Sequence, residues 1–170
     1  SIQCRVAIVE DHTFMREGLK MFISKLKDFE CAWMAATAAE ADNMLASDLP
    51  DLLVVDITLP DRSGLDIVKS VHDLHPKLPV IVLSMHDEKL YAQRALKAGA
   101  RGYLRKDASY AEYEAAVRRV LGGGISVSES LAEGILMAYA AGSSTLAGTE
   151  GGLECLSDRE LQVFQLLGEG

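Results

Sequence analysis

The sequence is short of cysteine: Cys4, Cys31 and Cys155 are its 3 thiols in 170 residues. Their odd number excludes a fully paired disulfide framework, and their spacing matches no metal-binding pattern. Buried, reduced thiols are expected for the first two. Positive charge is also scarce: 17 Lys and Arg against 25 Asp and Glu leave a net charge of −8. That balance argues against this stretch gripping DNA through its own field. No apolar run approaches the ~20 residues that a membrane span needs. The N-terminus lacks a basic region followed by an apolar stretch, so no signal peptide is visible. A soluble, cytoplasmic protein without membrane contact is expected. What the chain does have, at 49% hydrophobic and 25% charged residues, suffices for one substantial core and a smaller appendage.

Short β-branched runs alternate with helical patterns, which reads as parallel strands joined by crossover helices. Polar residues stand at the ends of those runs. Glu10 and Asp11 follow Arg5-Val6-Ala7-Ile8-Val9, Asp56 ends Leu52-Leu53-Val54-Val55, Ser84 ends Val80-Ile81-Val82-Leu83, and Lys106 follows Gly102-Tyr103-Leu104-Arg105. The carboxyl ends of the strands form the crevice of such a sheet. Three carboxylates, a hydroxyl and an ammonium are therefore expected to converge there.

The chemistry follows from the charges. Crowded carboxylates repel one another, and their ionised forms need a cation. Hard oxygen ligands in a partly hydrated site favour Mg²⁺, which also neutralises an incoming phosphate. Asp56, at the tip of the central strand, is then the nucleophile and gives an aspartyl phosphate. Lys106 pairs with one phosphoryl oxygen, and Ser84 donates a hydrogen bond to another.

Four fragments carry a resemblance. They are Val9-Glu10-Asp11-His12, the run Val55-Asp56-Ile57-Thr58-Leu59-Pro60-Asp61-Arg62-Ser63-Gly64, Leu83-Ser84-Met85-His86, and the run from Lys97-Ala98-Gly99 through Lys106-Asp107. In order and in register, they resemble the receiver domain of two-component response regulators. Met85 after Ser84, and Asp107 where many receivers have proline, resemble the NarL/FixJ subfamily. The resemblance implies Asp56 as phosphoacceptor, with Mg²⁺ held by Asp11, Asp56 and the backbone carbonyl of Thr58, and Glu10 acting through water. It implies Ser84 and Tyr103 as a switch pair and Lys106 as the phosphate-contacting lysine. It further implies a sensor histidine kinase as partner, phosphorylation-promoted dimerisation, and DNA binding through an output domain. Such a protein accepts a phosphoryl group and is not a turnover enzyme.

The helical patterns agree with an α/β, doubly wound (βα)₅ fold with flavodoxin-like parallel strand order 2-1-3-4-5. Met15, Leu19, Phe22, Ile23 and Leu26 give the first helix one buried face. A strand is expected around Cys31–Ala36 and a helix around Ala38–Ala46. Gly64–Leu74 is a third helix, stopped by His75-Pro76. Asp87 can cap a fourth, in which Tyr91, Ala95 and Ala98 share a face before Gly99. Ser109 and Glu112 make a capping box for a fifth, and Gly122-Gly123-Gly124 closes the unit. The expected division is a receiver at 1–125, a linker at 126–153 and the start of an output domain at 154–170.

Within the linker, Ser128–Ala140 reads as a helix with Leu131, Ile135 and Ala138 on one side. Gly142–Gly152 reads as flexible. Ser157 and Glu160 form a second capping box with Leu156 stapled against Leu161. The segment Leu156–Gly168 resembles the opening helix of a LuxR-type helix-turn-helix domain. A recognition helix for the major groove would follow Gly170, so the output domain is expected to be truncated here and this chain alone to bind no operator.

Other classes are weighed on the same residues. A flavodoxin wants a hydroxyl- and amide-rich phosphate loop where Glu10-Asp11 stand. A haloacid-dehalogenase-type phosphatase wants an Asp two residues after its nucleophile, and position 58 is Thr. A phosphorylation-independent interaction module remains the alternative. His12 and His86 read as solvated loop residues, because a hard Mg²⁺ site prefers oxygen. Phe14, off the buried stripe of its helix, reads either as cover for part of the loop or as a partner-docking aromatic.

Overall fold

The computed structural model describes residues 3–85 and 89–145, the last four of these by backbone alone. Strands β1 (Cys4–Val9), β2 (Phe29–Ala35), β3 (Leu52–Asp56), β4 (Val80–Ser84) and β5 (Gly102–Arg105) alternate with helices α1 (Thr13–Lys25), α2 (Ala38–Ser47), α3 (Gly64–Leu74), α4 (Lys89–Ala98) and α5 (Tyr110–Leu121); α6 (Glu129–Thr145) follows. All strand pairs are parallel, in the order β2-β1-β3-β4-β5. This is the expected order. The described part of the chain includes no helix long and apolar enough to cross a membrane.

Every residue of β3 and β4 is buried, as continuous apolar runs in a two-sided parallel sheet require. On one face Ala38, Ala41, Ile67, Val68, Ala92 and Ala95 pack against Val55 and Val82. On the other, Leu19, Phe22, Ile23, Tyr113, Ala116 and Val117 pack against Ile8, Val54 and Ile81. The first helix buries Leu19, Phe22 and Ile23 as its spacing predicts, while Met15 and Leu26 are partly covered at its ends.

Local signals set the helix starts. Thr37 caps α2 through the Glu40 N–H at 3.1 Å, and both capping-box bonds of Ser109 and Glu112 form. Asp61, in the loop after β3, accepts the Ala38 and Ala39 N–H groups at 2.9 and 3.0 Å. These two bonds hold its carboxyl below the usual carboxylate range and tie the loop to a neighbouring helix. At the other end of α4, Gly99 adopts a φ of 117°, which side chains with a Cβ rarely take.

Three expectations are revised. β2 starts at Phe29 and ends at Ala35 rather than spanning 31–36. α6 runs on to Thr145, so Gly142–Thr145 are helical and not part of a flexible linker. Propagating a helix from the Ala-rich turn before them costs far less than starting one. Cys4 and Cys31 are half-buried rather than fully buried; desolvation still pushes both thiols up, which keeps them protonated. His86, Asp87, Cys155, the remainder of the glycine-rich linker, the Ser157–Glu160 capping box and the LuxR-like helix lie outside the described residues.

Candidate functional site

Strand register brings the polar strand ends to one level. Val9 pairs with Val55, Asp56 with Leu83, and Ser84 with Arg105. Glu10, Asp56, Ser84 and Lys106 therefore meet at the carboxyl edge of four adjacent strands. A parallel sheet presents its crevice there.

Asp56 is held at both oxygens. Its Oδ2 accepts the Lys106 ammonium at 2.8 Å, and its Oδ1 accepts the Thr58 backbone N–H at 3.0 Å. The carboxylate is 1% exposed. Burial pushes its pKa up to about 6, against the pull of the Lys106 and Thr58 bonds and with a further push from the Glu10 charge. Burial alone would lower the Lys106 ammonium, but its bonds to Asp56 and Glu10 outweigh that and raise it. Lys106 thus bridges two carboxylates, reaching Glu10 Oε1 at 2.8 Å as well.

One ammonium does not satisfy this cluster. Glu10, Asp11, His12 and Asp56 can each direct a ligand atom to within 4.8 Å of the others. Glu10 Oε2 and Asp11 Oδ1 are buried with no hydrogen-bond partner among the described residues. An unpaired buried carboxylate oxygen is costly. The donor set is mainly hard oxygen, as Mg²⁺ prefers. The residues present therefore fit a divalent cation.

The sequence-predicted residues divide into two groups. Glu10, Asp11, Asp56 and Lys106 come together in one pocket, with the Thr58 backbone against Asp56. Ser84 is buried at the neighbouring strand end, where its carbonyl accepts the Lys106 N–H at 2.9 Å. Tyr103 is buried on the α4 side of β5, in the apolar cluster that includes Ala92 and Ala95.

His12 is the solvated loop residue expected, and it also reaches the pocket carboxylates. Its side chain is exposed, yet Nδ1 lies 2.9 Å from Glu10 Oε1 and 3.2 Å from Asp11 Oδ1. The backbone turn after β1 directs it back over the pocket. Phe14, two residues on, is 95% exposed. It lies close in sequence to the loop that carries Glu10 and Asp11.

Two supporting residues carry no sequence signal of their own. Arg16 donates to the Glu10 carbonyl at 2.8 Å and so holds the loop that presents Glu10 and Asp11. Tyr113, legible only as an inward-facing helix residue, donates to the Lys106 carbonyl at 3.0 Å and steadies the lysine from below. A Cβ on Gly64 would strike the Asp56 carbonyl oxygen, so α3 can start this close to the strand tip only with glycine.

Residues 6–118 match the family described as the response regulator receiver domain. Over 168 residues the chain is 29% identical to the oxygen regulatory protein NreC of Staphylococcus aureus, with 98% of this chain and 77% of that protein covered. Among solved structures, a LuxR-family two-component response regulator from Aurantimonas sp. SI85-9A1 is similar at TM-score 0.73 and 29% identity, over 77% of this chain and 94% of that one. The signal receiver domain of a NarL response regulator from Mycobacterium tuberculosis is similar at TM-score 0.69 and 28% identity, over 72% and 99% of the two chains.

Proposed function

The chain belongs to the response regulator receiver family, of the NarL/FixJ type, and from that premise we propose that it takes up one phosphoryl group on Asp56 from a sensor histidine kinase. The observation that carries this reading is the state of the Asp56 carboxylate. It is buried, held at both oxygens and clustered with Glu10 and Asp11, whose Oε2 and Oδ1 are buried without a hydrogen bond among the described residues.

An Asp56 oxygen attacks phosphorus, the bond from phosphorus to the donor's imidazole nitrogen breaks, and the imidazole leaves with a proton from solvent. Lys106 moves its ion pair from the carboxylate to a phosphoryl oxygen as the charge shifts. The Ser84 hydroxyl, at the end of the adjacent strand, donates to a second oxygen. Asp11, Asp56 and the Thr58 backbone carbonyl would hold Mg²⁺, with Glu10 acting through water, and the ion would supply positive charge to offset that of the phosphoryl group. The product is a stored aspartyl phosphate, so the chain is a switch and not a turnover enzyme.

On this reading residues 1–125 form the receiver, 126–153 a linker, and 154–170 the beginning of a LuxR-type output domain. The added charge of roughly −1.5 to −2 remodels the surface near Ser84 and Tyr103 and promotes a dimer. Paired DNA half-sites then suit the output domain. A transcription regulator acting in the cytoplasm is the function that this combination supports.

Acetyl phosphate with and without Mg²⁺ tests the reading. Stoichiometric, Mg²⁺-dependent labelling that disappears in Asp56→Asn is expected. Equal labelling of Asp56→Asn would overturn the assignment, and no labelling of the unsubstituted chain would favour an interaction module that works without phosphorylation.

A further inference from the structure

The chain does not leave the sheet when α5 ends. The Tyr103 N–H donates to the Ser126 carbonyl and the Ser126 N–H to the Arg101 carbonyl, both at 2.9 Å. This short pairing covers the outer edge of β5 at the level of Tyr103. Ser128 then caps α6, its hydroxyl accepting the Leu131 N–H at 3.2 Å. Leu131 is buried in the same cluster as Tyr103, Ala92 and Ala95. Val127 and Ile135 pack against Leu96 and Ile125. At Gly134, α6 comes so near α4 that a Cβ would meet the Lys89 side chain.

Tyr103 is consequently 1% exposed, although it lies on an edge strand where half-burial would be ordinary. Beside it, between β5, α5 and the start of α6, is a cavity of about 440 Å³ whose lining includes Tyr103, Leu104, Ala116, Arg119, Ser126 and Leu131. It offers Tyr103 a second place to go. A tyrosine ring moved there would compete for space with the first turn of α6, because packed interiors adjust in steps rather than continuously.

We propose that α6 docking and phosphoryl uptake at Asp56 reinforce each other, with Tyr103 as the element both act on. This rests on the phosphoacceptor reading. A phosphoryl group that draws the Ser84 hydroxyl toward it leaves room that favours a buried Tyr103. Leu131 and the Ser126 pairing favour the same arrangement from outside. Two influences that stabilise one state of a shared element are thermodynamically coupled, and the coupling is reciprocal. α6 is thereby the reporter through which the receiver's state passes to whatever follows in the chain.

Hydrogen exchange on the whole 170-residue chain, with Mg²⁺ and with or without beryllofluoride, tests this. The amides of residues 129–141 should exchange about fivefold more slowly with beryllofluoride, the lower end of usual coupling factors, while β1 and β3 stay unchanged. Leu131→Ala and Ile135→Ala should each weaken beryllofluoride binding by a similar factor, and Met137→Ala, on the exposed side of the same helix, should not. Unchanged or faster exchange in α6 on beryllofluoride binding overturns the inference, whether or not the variants fold. Equal affinity in folded Leu131→Ala, Ile135→Ala and Met137→Ala overturns it too. A chain that accepts acetyl phosphate on Asp56 while α6 is indifferent sinks only this inference. A chain that never labels sinks the phosphoacceptor reading and this inference with it.

Discussion

Lys106 and Asp56 are 50 residues apart in sequence, and the lysine ammonium lies 2.8 Å from Asp56 Oδ2 in a buried pair. Removing Lys106 strands both Asp56 and Glu10, whereas removing Asp56 leaves Lys106 paired with Glu10. Lys106→Met is expected to destabilise the metal-free protein by about 3 kcal/mol, because Glu10 loses the same partner. Urea denaturation in EDTA measures this; a change under about 0.5 kcal/mol, the size of an ordinary surface substitution, would contradict the geometry.

A cation that binds the folded site alone stabilises it by mass action. At a hundred times its dissociation constant, Mg²⁺ should add about 2.7 kcal/mol, seen as a rise in melting temperature. Asp11→Asn should lose most of that rise, since Asp11 Oδ1 is one of the two buried carboxylate oxygens that make no hydrogen bond among the described residues. An equal rise in both proteins would place the cation elsewhere.

Asp56 also predicts a pH dependence. Its folded pKa is pushed up to about 6, above the roughly 3.9 of an unfolded aspartate. Between those values the folded state binds more protons than the unfolded state, so this group's contribution to stability falls as pH rises from about 4 to 6. Without metal, Asp56→Asn should be more stable than the parent at pH 7, with the difference shrinking toward pH 4. Paired denaturation curves check it, and a difference independent of pH would contradict the buried-carboxylate account.

Gly64 allows α3 to begin against the Asp56 carbonyl, and its N–H donates to the Ile57 carbonyl at 2.8 Å. A methyl group there has backbone, not a flexible side chain, to displace. Gly64→Ala should cost about 1–3 kcal/mol as an overpacking change and slow acetyl-phosphate labelling by moving Asp56. Normal stability with normal labelling would show that the loop yields freely.

Phe14 separates partner binding from chemistry. Being exposed, Phe14→Ala should change stability by no more than about 0.5 kcal/mol and leave acetyl-phosphate labelling intact. Transfer from a cognate kinase should slow at least tenfold, equivalent to about 1.4 kcal/mol of lost docking. Unaltered transfer would reduce Phe14 to a solvent-exposed ring without a docking role.

Much of the fold is legible in the sequence because its signals are local. The unbroken apolar runs at Leu52–Val55 and Val80–Leu83 announce strands buried on both faces, and the structure buries every one of these residues. Ser109 with Glu112 sets a helix start that forms as expected. The polar residues ending those runs needed only parallel strands to be brought together, so the Glu10, Asp11, Asp56 and Lys106 grouping could be read in advance. α6 was misjudged at its end because Gly142 and Ser143 signal a break, while the preceding alanines carry the helix past them.

Tertiary structure alone decided the rest. That His12 turns back onto Glu10, that Arg16 and Tyr113 brace the two loops, and that one lysine serves two carboxylates depend on distances between segments up to 96 residues apart. The burial of Tyr103 likewise comes from a residue beyond the expected end of the receiver, pairing with an edge strand. Periodicity and capping report how a residue meets its neighbours in sequence. Which group satisfies a buried carboxylate, or covers an edge, is settled only when the whole sheet closes around it.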